Sequence, residues 1–136
     1  MEFDPATSYP LGSRRPDLVE TPSGAPFESL TFAAAQAGTV AAGDLRATSG
    51  TLLRQAEIAR AHGRSQLAEN LARASELVDV PDDELLAIYT ALRPGRSTAA
   101  ELEAAATQLD GYGAARTAAF VREAAAAYAE RSLLRG

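Results

Sequence analysis

The chain has no cysteine, no tryptophan and no lysine, and it has a single histidine, His62. Without cysteine there is no disulfide framework, no thiolate metal site and no cysteine nucleophile. Nothing then points to an oxidising compartment, and a cytoplasmic location is expected. With one imidazole, neither a two-histidine metal site nor a histidine relay can be assembled within one chain. No run approaches the roughly 18 to 20 apolar residues that cross a bilayer. The N-terminal stretch from Met1 to Pro5 lacks the basic and apolar regions of a signal peptide, so a soluble protein with no membrane partner is expected. The formal net charge is −5, and all 13 basic residues are arginine. That balance offers no cationic surface to a phosphate backbone, and no nucleic-acid partner is expected. Glycine patterns of the GxGxxG or GxxxxGK[ST] kind, and a GxSxG elbow, are also missing.

What remains is 136 residues with abundant alanine, enough for one domain plus a tail. Five of the seven prolines (Pro5, Pro10, Pro16, Pro22, Pro26) fall early in the chain. Each removes a backbone donor and biases its predecessor towards extended geometry, so residues 1–30 read as an extended proline-rich arm with no regular helix. The arm carries Tyr9, Leu11, Leu18, Val19 and Phe27, more apolar anchoring than a solvated tail needs. Three readings stand side by side: a strap on another surface, an arm folded back on its own body, and a disordered arm.

Residues 31–136 read as a helical body. Thr31 to Ala37 predicts a short helix stopped by Gly38, and Asp44–Leu45 a further turn. Thr48 or Ser49 caps a segment reaching His62, with Leu52, Leu53, Ala56 and Ala59 inward and Gly63 at its C′ position. Ser65 caps the next, whose Leu67, Leu71, Ala74 and Val78 form one apolar face. Pro81, Asp82, Asp83 and Glu84 mark a helix start, followed by a stripe of Leu85, Ile88, Tyr89 and Leu92. Thr98 and Glu101 are spaced as a capping box ahead of Leu102, Ala105, Ala106 and Leu109. Gly111 and Gly113 predict a break, because two glycines cost about 2 kcal/mol relative to alanines in a helix interior. A last helix is expected from about Ala114 to Leu134, carrying Phe120, Val121, Ala124, Ala127 and Tyr128. No strand-period segment and no internal repeat is evident. The fold class is all-α, a compact domain of about five to six helices with the extended arm.

Candidates for chemistry are few. His62 near a helix C-terminus suits an exposed, dipole-complementing role. Consecutive Asp82, Asp83 and Glu84 point in different directions along a helix and do not converge on one ion. No catalytic, cofactor-binding or metal-ligating residue is assigned. Arg93 and Arg96 flank Pro94–Gly95 in a stiff turn, which suits bidentate capture of a carboxylate across an interface. The same arginines could instead cap the preceding helix or pair locally with Glu101 and Asp83.

The order of segments carries a resemblance. The strings are Ser8–Tyr9–Pro10–Leu11, Arg15–Pro16–Asp17–Leu18–Val19, Gln66–Leu67–Ala68–Glu69–Asn70–Leu71, Val80–Pro81–Asp82, Ala91–Leu92–Arg93–Pro94, Arg96–Ser97–Thr98 and Ala118–Ala119–Phe120–Val121–Arg122–Glu123. Together they resemble the small subunit of propanediol and glycerol dehydratases over nearly the whole chain. The resemblance implies a complex with large and medium subunits, two copies of each of the three. It also implies adenosylcobalamin-dependent radical dehydration of 1,2-propanediol to propionaldehyde or glycerol to 3-hydroxypropionaldehyde. Cofactor and substrate would be held by the other subunits, and none by this chain, which alone would be inactive. Tyr9, Leu11, Leu18, Val19, Phe27, Arg93 and Arg96 become the candidate partner-binding residues. The chain departs from the family pattern at Gly95 and at Gly111–Gly113. With about eight residues before Tyr9, a microcompartment-targeting extension is not expected in this sequence. The alternative is a free-standing helical adaptor without dehydratase activity.

Overall fold

A computed structural model describes residues 1–136, and it is all-α: seven helices and no strand. By contact density the chain falls into two units, Met1–Val78 and Asp79–Gly136. The helix beyond the expected five to six is α1 (Leu11–Arg14), one turn within the arm. Pro10 precedes it, where a missing backbone N–H costs nothing, and its carbonyl accepts from the amide of Arg14 at 2.9 Å. The expectation of no helix in the arm is corrected to that extent.

In the first unit the arm folds onto the start of α3 (Ser49–Ala61). The Glu20 amide donates to Thr51 Oγ1 at 2.9 Å, and the Arg54 guanidinium donates to the Leu18 carbonyl at 2.9 Å and to the Glu20 carboxylate at 2.7 Å. Gly50 makes room for this clasp, since a Cβ there would stand 2.6 Å from Glu20 Oε2. The short α2 (Phe32–Gln36) is capped by the Thr31 hydroxyl and followed by left-handed Gly38, as the sequence predicts. Helix α3, capped by Thr48, pairs with α4 (Ser65–Glu76) in a hairpin. The turn between them runs through Gly63 at φ 73°, with the Arg64 amide donating back to the Ala59 carbonyl at 2.8 Å. Alanines line the buried side of this pair: Ala56, Ala59, Ala68 and Ala72. Ser65 is the first helical residue rather than the cap, and its side chain makes no cap bond.

The second unit contains α5 (Asp82–Ala91), α6 (Ala99–Gly111) and α7 (Ala115–Glu130). Thr98 and Glu101 form the expected capping box, and Leu102, Ala105, Ala106 and Leu109 are all buried. Leu102, Leu109 and Val121 are the largest fully buried side chains. Helix α6 ends at Gly111, and the turn to α7 uses Gly113 at φ 76°, with the Ala114 amide returning to the Leu109 carbonyl at 3.0 Å. Helix α7 stops at Glu130, short of the expected Leu134. Ser132 adopts φ 56° there, and the chain turns back so that Leu133 accepts from the Gly95 amide at 2.7 Å.

The two hairpins repeat each other at one constant offset, which corrects the expectation of no internal repeat. Thr48 and Thr98 cap first helices of equal length. Gly63 and Gly113 supply the left-handed residue of the turn. Ala56 and Ala106, Ala59 and Leu109, and Ala68 and Ala118 are buried at matching positions.

Candidate functional site

Helix α5 begins with Asp82, Asp83 and Glu84 in its first turn, where the macrodipole favours negative charge. Glu84 accepts from Gln108 Nε2 at 2.5 Å and from the Tyr112 hydroxyl at 2.7 Å, fastening α5 to the end of α6. That bond to a carboxylate raises the Tyr112 phenol above its ordinary range. Ile88 is buried and Leu85 and Leu92 are half-buried, so they form the inward side. At 3.6 residues per turn the flank about 100° round the helix from that side carries Leu86, Tyr89 and, just past the helix end, Arg93. Leu86 is 65% exposed and Tyr89 55%. Tyr89, expected in the inward stripe, instead stands on the outer face. Leu53 of α3 and Leu67 of α4 depart in the same way, being 42% and 44% exposed, while Ala56 and Ala68 take the deepest positions.

The turn after α5 is fixed at both ends. Gly95 takes φ 73°, a left-handed value that glycine adopts without strain. Its amide donates to Leu133, and the Arg135 amide donates to the Ser97 carbonyl at 2.9 Å. The Ser97 hydroxyl donates to the Ala91 carbonyl at 2.8 Å, and the Tyr128 hydroxyl to Leu92 at 2.6 Å. Beside the turn lies an open groove of about 520 Å³, lined by Thr90, Ala91, Arg96, Ser97, Glu101 and Arg135 among others. Within it the Glu101 carboxylate accepts from the Arg135 guanidinium and from the Thr98 amide, and both bonds hold it below the ordinary carboxylate range. Glu101 is therefore paired with Arg135. Arg93 and Arg96 are exposed, and their side chains make no ion pair or hydrogen bond within the chain. Local pairing with Glu101 or Asp83, and side-chain capping of α5, do not occur.

The arm candidates divide. Leu11 is buried, and Leu18 and Val19 are half-buried within their own unit. Phe27 is 38% exposed and lies over α1, its ring 3.4 Å from where a Cβ on Gly12 would sit. Tyr9 is 67% exposed, its ring centroid 6.1 Å from that of His62. Tyr9 and His62 line a small cavity of about 210 Å³ with Ile58, Ala59, Arg64 and Leu67. His62 closes α3 as expected, its Nδ1 donating to the Ile58 carbonyl at 2.9 Å. No group of three or more His, Cys, Asp or Glu side chains converges on a point that could hold a metal ion. No helix is long and apolar enough to cross a membrane. Of the seven sequence-predicted residues the fold brings Val19 and Phe27 to one shallow hollow of the arm, while Arg93 and Arg96 share the turn after α5. Sequence reasoning missed Leu86 and the groove, although apolar residues at 85, 86, 88 and 89 already signal an apolar arc of about 160°, wider than one inward stripe.

Comparison with known proteins gives a family and two relatives. A family model described as "Dehydratase small subunit" matches residues 5–135. The propanediol dehydratase small subunit of Citrobacter freundii is 49% identical over 131 residues, 96% of this chain and 76% of that protein. The propanediol dehydratase small subunit of Salmonella typhimurium is 47% identical over the same shares.

Proposed function

The chain belongs to the dehydratase small-subunit family, and from that premise we propose that it is the non-catalytic small subunit of a propanediol or glycerol dehydratase, a hydro-lyase of the cytoplasm. Its work is assembly: it joins the large subunit of a complex that also contains a medium subunit, two copies of each. The complex converts 1,2-propanediol to propionaldehyde or glycerol to 3-hydroxypropionaldehyde. The observation that carries the reading is identity of nearly half over almost the whole chain to two proteins that bear that subunit's name.

Adenosylcobalamin would supply radical initiation in the holoenzyme. The residues of this chain do not fit a corrinoid. The one imidazole, His62, donates from Nδ1 to the Ile58 carbonyl, which leaves Nε2 free, so the misfit lies in the space around it. The cavity beside it, about 210 Å³, is smaller than the roughly 300–1,000 Å³ of ordinary small-molecule sites. The groove at Arg96 is open, polar and without an imidazole. We therefore assign the cofactor to the other subunits, and no step of the reaction to this chain. Tyr9 and Phe27 of the arm, with Arg93 and Arg96, are the surface residues through which the complex would be joined.

Co-expression with candidate large and medium subunits, followed by an aldehyde-release assay on both diols with and without this chain, tests the reading. The expected result is a complex retaining all three chains and activity that falls when this one is omitted. A chain that never co-purifies with them, and leaves activity unchanged, would sink it.

A further inference from the structure

We propose that the outer side of α5 and the turn that follows it, Leu86, Tyr89, Arg93 and Arg96, form the docking surface for the partner subunit, and that the partner presents there an apolar patch bordered by carboxylates. The proposal rests on the family reading above and specifies which face is used and what chemistry it meets.

The apolar arc of helix α5 is wider than its buried side. Ile88, with Leu85 and Leu92, anchors it inwardly, while Leu86 and Tyr89, on the adjoining flank, leave more than half of two large side chains in water. Tyrosine and arginine are enriched among the residues that dominate interface energetics, because each buries a large area and keeps a polar end for a directed bond. The Tyr89 hydroxyl has no partner within the chain. The arginines stand on a backbone that is already fixed, by Gly95 to Leu133, Arg135 to Ser97 and the Ser97 hydroxyl to Ala91. Docking there would order side chains only and would not have to fold a loop.

Charge settles the partner's chemistry. In a chain with a net charge of −5, two guanidinium groups three positions apart are left without a carboxylate, while nearby Glu101 is held by Arg135 and Thr98. A guanidinium fork is matched best by a carboxylate, bidentately. The 520 Å³ groove beside Arg96 gives such a side chain room to enter. In the arm, Leu11, Leu18 and Val19 are covered within their own unit and the Leu18 carbonyl and Glu20 are taken by Arg54, so Tyr9 and Phe27 are what it leaves for a partner.

The test uses tagged large subunit co-expressed with medium subunit and either the wild-type chain or one of four variants: Tyr89→Ala, Leu86→Ser, the pair Arg93→Gln with Arg96→Gln, and Arg14→Gln. Arg14 is an exposed, unpaired cation of the other unit and serves as the control. Far-UV circular dichroism confirms that each isolated variant folds. Tyr89→Ala and the double arginine variant should each weaken retention at least tenfold, Leu86→Ser several-fold, and Arg14→Gln not at all. Retention of the double variant should also depend less on salt between about 0.1 and 0.5 M than that of the wild type. Folded Tyr89 and arginine variants retained as tightly as the wild type would overturn the docking surface and leave the subunit assignment standing. So would an isolated wild-type chain that sediments as a dimer and becomes monomeric with Tyr89→Ala, because the face would then belong to a second copy. A wild-type chain that fails to co-purify at all would remove the assignment and this surface with it.

Discussion

Ser132 is the residue at which the backbone departs furthest from what its side chain favours. Its φ of 56° lies in the left-handed region, where a Cβ crowds the following carbonyl at a cost of about 1–2 kcal/mol. The position is the C′ residue of α7, and the Leu133 amide returns to Tyr128 at 2.8 Å across it, the role glycine fills at Gly63 and Gly113. Ser132→Gly removes the crowding and loosens the unfolded chain, and the first effect is the larger. Urea unfolding should show a gain of about 0.5–1 kcal/mol. This residue also marks a limit of reading from sequence. Gly38, Gly63 and Gly113 announce their helix ends because glycine is the usual left-handed residue, whereas a serine carries no such signal, and the expected end of α7 ran past it.

At the scale of elements, helix starts were the most legible features. A hydroxyl three residues before a carboxylate is a local pattern, and Thr98 with Glu101 forms the box that spacing predicts. Which side of a helix faces inward was less legible wherever apolar residues are dense. In α6 the four expected positions are the four buried ones, but Tyr89 of α5 turns outward because Leu85 and Ile88 already fill the inward side. What no local pattern encodes is the long-range use of Glu101, which also pairs with Arg135 and so ties the C-terminal return to the start of α6. The Arg135 guanidinium first, and the Thr98 amide second, lower the Glu101 carboxyl from its ordinary value of 4.5. A folded-state pKa below the unfolded one means stability that is fully present above pH 4.5 and is lost as pH falls through the folded value. Glu101→Gln removes this dependence and keeps an acceptor for the cap. Wild type should exceed the variant in urea midpoint near about pH 6, and the two should converge as the pH falls through the folded value. Both should still weaken in acid, because Glu103, lowered by Arg122, titrates with the same sign.

Over the whole molecule, the sequence divides most visibly at the end of the proline-rich stretch, near residue 30, whereas contacts divide it after Val78. Composition marks the arm, but composition does not show that Glu20 and Leu18 are clasped by Thr51 and Arg54. The repeat of the two hairpins was hidden for a related reason: caps, turn glycines and a few small buried residues recur, and alanine-rich helices give those few matches no contrast. If the hairpins are equivalent, their turns should respond alike. Gly63 and Gly113 have φ values of 73° and 76°, and a Cβ at either meets nothing within 4 Å. An alanine at either position therefore pays only for its backbone, about 1–2 kcal/mol for the left-handed residue, less about 0.4–1 kcal/mol regained from a stiffer unfolded chain. Gly63→Ala and Gly113→Ala should each destabilise by about 1 kcal/mol, equal within the error of urea unfolding. Hydrogen exchange should place the loss of protection in α3 and α4 for the first and in α6 and α7 for the second. Costs that differ by more than about 1 kcal/mol, with space equally open at both, would mean that the turns carry different loads and that the repetition is one of outline only.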